Sequence, residues 1–449
     1  MKVALLKPCW DYPKGPREGT YNRVWLPLEL ANCAAILREA GHHPIIIDAQ
    51  ALRLPPEALA ERAAGADLAI LTSTGLDRWQ CPYNDPAPFL AAARSLKARA
   101  VKLALTGFHP TINPAAVLRL TGADVVISGE PEAAVGQVAA GMDIEAADGV
   151  SRIEGGRIMS NAPAGPVDMK SLPVPAFDLV ETERYFYEVL GPNFLLFETT
   201  RGCPWQCSFC SKVMYGAGFR KKTPEQVIRE IDFALDHTPV KTAYFMDLEF
   251  TVARDLAEAV CLHLIERGSP IEWCCQTRAD RLDRHIVSMM RGAGCRLVHV
   301  GVESGSERIL EKSGKATSRD AILEGIRLAE EAGIETLGFF MFGLPGETDA
   351  EREETIRFAL ELEPTYASFH FATPYPGSPL FDSEGLSVGE DLSLPLVPAG
   401  TQLEELKGWV RRGMSAFYLR PSYVWRHLRR ARPSQWRRQL ALFASYLRR

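Results

Sequence analysis

No run of roughly 18 or more apolar residues occurs in this chain, so a membrane-spanning helix is not expected. The opening run Met1–Lys7 reads as a short strand, its apolar stretch too brief for the core of a signal peptide. Cysteine is sparse: ten in 449 residues, spread widely and not packed into a short disulfide framework. A reducing cytoplasm is therefore the expected location, and clustered cysteines read as metal ligands. Charge of one sign is also lacking. A formal net charge of −5 gives no reason to expect nucleic acid as a partner. What is present is ordinary for globular protein: 46% hydrophobic and 24% charged residues, enough for a full core without disulfides. The length suits two or three domains.

Residues 1–150 alternate short apolar runs with helical patterns. Strands are expected at 2–7, 44–48, 68–73, 101–106 and 124–128, with Ala/Leu-rich helical stretches such as 26–40 and 56–65 between them. Buried β-branched runs alternating with helices predict an α/β fold, a Rossmann-like doubly wound parallel sheet. Ligands of such sheets bind at the carboxyl ends of strands, which here carry Thr72-Ser73-Thr74, Thr106–Pro110 and Ser128–Pro131. Alone, these are equally ordinary βα turns. Residues 151–192 lose the pattern and, with Gly155-Gly156, Pro163, Pro166, Pro173 and Pro175, read as a linker or strap. Residues 193–395 return to β/α alternation, with strands at 194–200, 242–247, 271–276, 297–302, 335–342 and 367–373. Six such units suggest a partial (β/α)6 TIM-type barrel, its site at the strands' C-terminal ends. A helical, basic segment closes the chain at 396–449. Its last part places Trp436, Leu440, Phe443 and Leu447 on one helix face, starting near Pro433 and the N-cap candidate Ser434.

The chemistry concentrates in Thr200-Arg201-Gly202-Cys203-Pro204-Trp205-Gln206-Cys207-Ser208-Phe209-Cys210. Three cysteines spaced C-x3-C-x2-C directly follow an apolar strand. One loop can wrap three thiolates around a single [4Fe–4S] cluster, for which soft sulfur ligands are suited. A fourth iron without cysteine is an open coordination position, which suggests chemistry over passive electron transfer. Structural zinc would need a fourth Cys or His, usually at a second short spacing, and no other cysteine supplies an obvious one.

With these residues in view, 193–395 resembles the radical S-adenosylmethionine superfamily, whose signature is this loop after the first barrel strand. The resemblance implies that the free iron is chelated by the amino and carboxylate groups of S-adenosylmethionine. Reduction then cleaves the sulfonium to a 5′-deoxyadenosyl radical, with an external electron donor such as flavodoxin or ferredoxin. It implies that Glu303, in Gly301–Gly305, contacts the cofactor's ribose. The run Phe342–Thr348, with Gly343 and Pro345, resembles the adenine-side segment. Arg278 has two readings: neutralising the cofactor carboxylate, or pairing with Asp280 or another acid. The family often has Gly-Gly-Glu after the second strand. This chain has Phe245-Met246-Asp247-Leu248-Glu249, leaving Asp247 or Glu249 to accept from the cofactor's ammonium.

A doubly wound domain ahead of such a barrel, joined by a Pro-rich strap, resembles the cobalamin-binding branch of that superfamily. The resemblance extends to Phe417–Pro421. It implies corrinoid-contacting loops at Thr72–Pro82, Gly107–Pro110 and Ser128–Pro131, with Thr72, Ser73, Thr74, Gly107, His109, Gly129 and Glu130 among the contacts. No D-x-H-x-x-G motif places a histidine on cobalt. Asp283-Arg284-His285 has Ser288 where glycine should stand. His109 then reads as a supporting loop residue, and Asp77, Arg78, Trp79 and Gln80 are candidates for the cobalt's lower face. The adjacent Cys274 and Cys275 point to opposite faces of a strand, so at least one packs in the core.

The function expected is a cobalamin-dependent radical enzyme, a methyltransferase at an unactivated carbon of a small molecule. One alternative is a relative performing cyclisation or rearrangement without methyl transfer. Another is a corrinoid-binding sensor or carrier with a vestigial barrel. No single residue stands out as catalytic. The basic tail either caps the fold, its arginines pairing with acidic residues, or lies on an anionic inner membrane face, which would suit a lipid-like substrate. The cap is the favoured reading.

Overall fold

The computed structural model describes residues 1–10, 24–75, 85–141, 147–215 and 218–430. In the N-terminal sheet, β1 (Lys2–Lys7), β2 (His43–Asp48), β3 (Leu68–Thr72), β4 (Leu103–Thr106) and β5 (Val125–Ile127) are parallel, in the order β2-β1-β3-β4-β5. Side chains alternate across a strand, so the run Val3-Ala4-Leu5-Leu6 serves two cores. Val3 and Leu5 join the cluster under the helix Leu28–Glu39, and Ala4 and Leu6 join the one under the helix Ala87–Ala98. Helices on both faces explain why these strands are apolar throughout.

Two further strands, β6 (Val150–Glu154) and β7 (Arg157–Ser160), extend the sheet as an antiparallel hairpin beyond β5. The sequence pattern alone assigns this stretch to the start of the strap. Its turn is Gly155-Gly156, both at positive φ, and most of its side chains stay exposed, so no apolar alternation marks it. The strap follows, with a small ribbon of β8 (Phe186–Tyr187) and β9 (Gly191–Pro192). Gln226 Nε2 fastens it by donating to the carbonyls of Lys170, at 2.8 Å, and Met169, at 3.2 Å. Tyr185 Oη donates to Asp48 at 2.9 Å, tying strap to first sheet.

The second sheet runs in chain order: β10 (Phe194–Phe197), β13 (Thr242–Phe245), β14 (Glu272–Thr277), β15 (Cys295–Glu303), β16 (Glu335–Phe342) and β17 (Tyr366–Phe371), all parallel. Between β10 and β13 lies an antiparallel ribbon, β11 (Thr200–Gly202) with β12 (Phe219–Lys221). Helices Pro224–His237, Arg254–Glu266, Arg284–Gly292, Arg319–Glu331 and Asp349–Leu362 connect these strands. The helix Pro224–His237 opens with a Thr223/Gln226 capping box, a device whose loss typically costs about 1 kcal/mol. Cys274, Cys275 and Cys295 are all fully buried in the core.

The edge strand β17 is covered by the helix Leu403–Tyr418. Tyr418 Oη accepts from the Ala367 N–H at 3.0 Å and donates to the Ala367 carbonyl at 2.7 Å. One hydroxyl thus satisfies groups that an edge leaves open. The run Phe417–Pro421 gains a structural meaning here. Described arginines of this region pair with acids: Arg412 with Glu353 and Arg420 with Glu363. Trp436, Leu440, Phe443 and Leu447 lie outside the described residues, as do Asp77, Arg78, Trp79 and Gln80. Among the described residues, no helix is long and apolar enough to cross a membrane.

Candidate active site

The ribbon β11–β12 closes the base of the cysteine loop. Gly202, at φ +78°, makes this possible: a Cβ there would stand 2.0 Å from the Gly218 carbonyl oxygen. From this base the loop is pinned by the turns after β15 and β17. Ser208 N–H donates to the Ser313 carbonyl at 2.8 Å, and Leu380 N–H to the Ser208 carbonyl at 2.8 Å. Ser211 Oγ donates to Pro376 O at 2.7 Å, and Lys212 Nζ to the carbonyls of Cys203, at 3.0 Å, and Trp205. Cys203, Cys207 and Cys210 are half-buried and free of disulfides. Burial pushes all three thiols up, Cys210 to about 12, and Cys203 and Cys207 reinforce that rise at Cys210.

Three such thiols on one short loop fit an iron–sulfur cluster. Buried thiols this reluctant to ionise become thiolates when a coordinated metal supplies the positive charge. Among the described residues, no three His, Cys, Asp or Glu side chains converge as a single metal ion would require.

Gly314 is the second close approach. At φ +69°, its Cβ would lie 2.8 Å from the Gln206 carbonyl oxygen, against cysteine-loop backbone. Alanine there adds left-handed strain on the order of 1 kcal/mol and pushes the loop outward. A Gly314→Ala variant should take up less iron on anaerobic reconstitution; wild-type iron content would contradict this.

Glu249 lies near Cys203, and Arg278, Glu303 and Lys315 lie near Cys207. Glu303 ends β15 at φ +67°, where the register with β16 slips. Lys315 Nζ pairs with Glu303 Oε1 at 3.0 Å, both buried. Burial lowers the Lys315 pKa, but Glu303 and Cys207 raise it further, leaving it above normal. Nothing in the sequence marked Lys315; only the fold brings it back over twelve residues to Glu303.

Arg278 grips Asp280 through two bonds, of 2.9 and 2.6 Å, and donates to the carbonyls of Lys315 and Ala316 at 2.6 and 2.9 Å. Its guanidinium also lies 4.4 Å from the Trp205 ring centroid. Glu249 accepts from Thr251 and Thr277 at 2.8 and 2.7 Å, and burial pushes its carboxyl up to about 7. Asp247 Oδ1 accepts from the backbone and hydroxyl groups of Thr199 and Thr200, while Oδ2 is buried without a hydrogen-bond partner. Burial raises Asp247 to about 6 despite these donors.

Gly343 and half-buried Pro345 lie in the turn after β16, where Gly343 N–H donates to Glu347 Oε2 at 2.6 Å. Burial pushes Glu347 up to about 7, although Gly343 and Arg352 both favour its charged form. The folded chain holds that proton up to about pH 7, whereas an ordinary glutamate releases it near 4.5. Stability is therefore lost as pH rises through this window. Glu347→Gln should stabilise the cofactor-free protein at about pH 8 and much less at about pH 5. Equal shifts in melting temperature at both would refute it.

In the N-terminal domain, Thr72 and Thr74 donate to the two oxygens of Glu29 at 2.7 and 3.1 Å. Ser73 Oγ accepts the His109 N–H at 3.0 Å. Gly107, at φ +101°, lets these turns close: a Cβ would meet Thr74 Oγ1 at 2.8 Å. The His109 ring is fully buried between Trp10 and Phe89, with centroids at 6.4 and 6.1 Å. Gly129 N–H donates to Thr111 Oγ1 at 2.9 Å. The Glu130 carboxylate instead reaches Arg201 and Arg220 beside the cysteine loop.

The turn of the first sheet at Glu130 thus meets the ribbon at the base of the three-thiol loop. Residues 197–359 match the Radical SAM superfamily. Over nearly its whole length the chain is similar to an uncharacterized methyltransferase of Pyrococcus horikoshii, PH0819: 29% identity over 447 residues, covering 94% of each. It is also similar to the anaerobic magnesium-protoporphyrin IX monomethyl ester cyclase of Cereibacter sphaeroides, with 28% identity over 85% of this chain and 63% of that one. Among solved structures, the fold is shared with the radical S-adenosylmethionine methyltransferase TsrM of Kitasatospora setae, solved with cobalamin and a [4Fe–4S] cluster. The TM-score is 0.68 and the identity 17%, covering 92% of this chain and 84% of TsrM.

Proposed function

We propose that the chain is a cobalamin-dependent radical S-adenosylmethionine methyltransferase acting at an unactivated carbon of a small molecule. The observation that carries this reading is the three-thiol loop, pinned beside Glu303 and Lys315 and joined through Arg201 to the loops of the N-terminal sheet. When bound, the cluster and S-adenosylmethionine supply a hydrogen-abstracting 5′-deoxyadenosyl radical, and cobalamin supplies the methyl group. The chain's own work is to place these groups and keep water out. Cys203, Cys207 and Cys210 hold the cluster. Glu303 and Lys315 offer a carboxylate and an ammonium to the polar parts of S-adenosylmethionine, and Glu249 lies near Cys203 and Arg278. The turns Thr72–Thr74, Gly107–Pro110 and Ser128–Pro131 offer backbone to the corrin.

Substrate would lie on the accessible half of the second sheet's face. There Gln276, Gly301, Phe339, Met341 and Ser368 are half-buried and His370 is exposed, whereas Phe340, Phe342 and Phe369 on the other face are sealed. That mixture suits a largely apolar molecule with few polar groups. An acidic one-electron carrier such as flavodoxin or ferredoxin would supply the reducing equivalent. The basic C-terminal segment would allow contact with an anionic membrane face. Loss of liposome co-sedimentation in a chain truncated after Arg430 would support that contact.

Anaerobic turnover of reconstituted enzyme with the small-molecule fraction of cell extract tests the main reading. S-adenosylhomocysteine formed together with 5′-deoxyadenosine supports it. The likeness to a cyclase favours a second reading, cyclisation without methyl transfer, which requires 5′-deoxyadenosine and no S-adenosylhomocysteine.

A further inference from the structure

Glu130 stands in a loop assigned above to cobalamin, yet both of its carboxylate oxygens accept from guanidinium groups of the other domain. Oε2 accepts from Arg201 Nη1 at 2.5 Å and Arg220 Nη1 at 3.1 Å, and Oε1 accepts from Arg220 Nη2. Arg201 and Arg220 are cross-strand partners in the ribbon at the base of the cysteine loop. Arg201 also donates to Glu132 Oε1 at 2.8 Å and Glu198 Oε2 at 2.9 Å. Tyr215 Oη donates to Glu198 Oε1 at 3.0 Å, and Arg220 to the carbonyls of Val167 and Tyr215 at 2.6 and 2.9 Å. The side chains of Arg201 and Glu132 are 0% exposed, and those of Glu130 and Glu198 are 3% exposed. One buried network therefore holds the loop after β5, the strap and both limbs of the thiol loop.

Such a network is a poor way to gain stability. Desolvating several charges offsets most of their attraction, and apolar packing of the same volume would serve as well. What the fork of a guanidinium on a carboxylate does supply is fixed direction and distance. Here it is supplied where Glu130, in the turn Ser128–Pro131, meets the base of the Cys203–Cys210 loop.

We infer that Glu130, with Arg201 and Arg220, is a positioning device that holds the corrin loop in register with the cluster loop, so that filling either site favours filling the other. This rests on the cobalamin reading above. None of the three needs to touch a reacting atom. The linkage is reciprocal by thermodynamic necessity: a cluster that orders its loop through this network must tighten corrinoid binding by the same factor as the reverse.

Hydroxocobalamin, titrated anaerobically by absorbance into cluster-free and reconstituted protein, tests this without turnover. In the wild type, reconstitution should tighten its binding by a factor of roughly 5–150. In Glu130→Gln that factor should collapse towards one. Glu230→Gln is the control for lost stability. Glu230 pairs with Lys222 at 2.7 and 2.8 Å, is equally buried, and makes that pair within the second domain. Its variant should melt earlier and keep the wild-type factor. If Glu130→Gln does not fold, Arg220→Gln replaces it, since that side chain is 18% exposed. A wild-type factor of one, an unchanged factor in the Glu130 variant or its substitute, or equal loss in the control overturns the inference. Wild-type protein that takes up no hydroxocobalamin in either state overturns the cobalamin reading itself.

Discussion

Replacing Cys207 with alanine should strip the protein of its iron and take formation of 5′-deoxyadenosine below detection. Cys207 is the middle thiol of the three, with Sγ 3.8 Å from the Gly314 carbonyl oxygen. Burial raises its pKa, and Lys315 and Arg278 stand close enough to oppose that rise, so it faces the group of charges that would receive S-adenosylmethionine. Clusters of this kind usually take four sulfur ligands, and this loop offers three. Removing one leaves two, and the remaining irons open to solvent. The measurements are iron and sulfide per chain after anaerobic reconstitution, and 5′-deoxyadenosine after reduction with dithionite. Cys275→Ala is the informative comparison. Cys275 is fully buried in the core, so its loss should lower stability and leave iron content unchanged. Full iron and full 5′-deoxyadenosine in the Cys207 variant would show that this loop does not hold the cluster.

The parts of the fold legible in the sequence were those whose side chains are buried periodically. Val3–Leu6 and Leu68–Leu71 are apolar because both faces of the sheet are covered, and their strands fell within a residue or two of expectation. The hairpin β6–β7 was missed because it is an exposed edge extension with little apolar content to betray it. The site divided in the same way. The cysteine spacing is local, so one loop of sequence displayed it. Arg201 stood in that same run but carried no readable role. Its partners Glu130 and Glu132 lie 71 and 69 residues upstream, and no local pattern announces a contact made by folding. Lys315 escaped for the same reason. For Arg278 the sequence left two readings open, and in the fold the side chain is engaged by Asp280 and two carbonyls.

Arg201 is also where the largest change in stability is expected. Its guanidinium is completely buried and donates to three carboxylates, two from the first domain and one from the second. Those carboxylates raise its pKa well above normal although burial alone would lower it. Arg201→Met keeps most of the side-chain volume and removes the charge. Glu130, Glu132 and Glu198 then stay buried with one cation fewer. Breaking a buried pair from one side costs about 3–5 kcal/mol, because the surviving charge is stranded away from water. Arg201→Lys should fall between, since an ammonium keeps the charge but cannot span three carboxylates with a planar fork. Arg267→Ala sets the scale: that exposed arginine pairs with Asp232 and Asp236 at 3.5 and 3.6 Å, and surface pairs of this kind contribute at most about 1 kcal/mol. Urea unfolding of the cluster-free protein should therefore rank the four chains wild type, Arg267→Ala, Arg201→Lys, Arg201→Met, from most to least stable. An Arg201→Met variant as stable as wild type would mean that methionine packing compensates fully. The network would then hold the two domains in register without contributing to the stability of either.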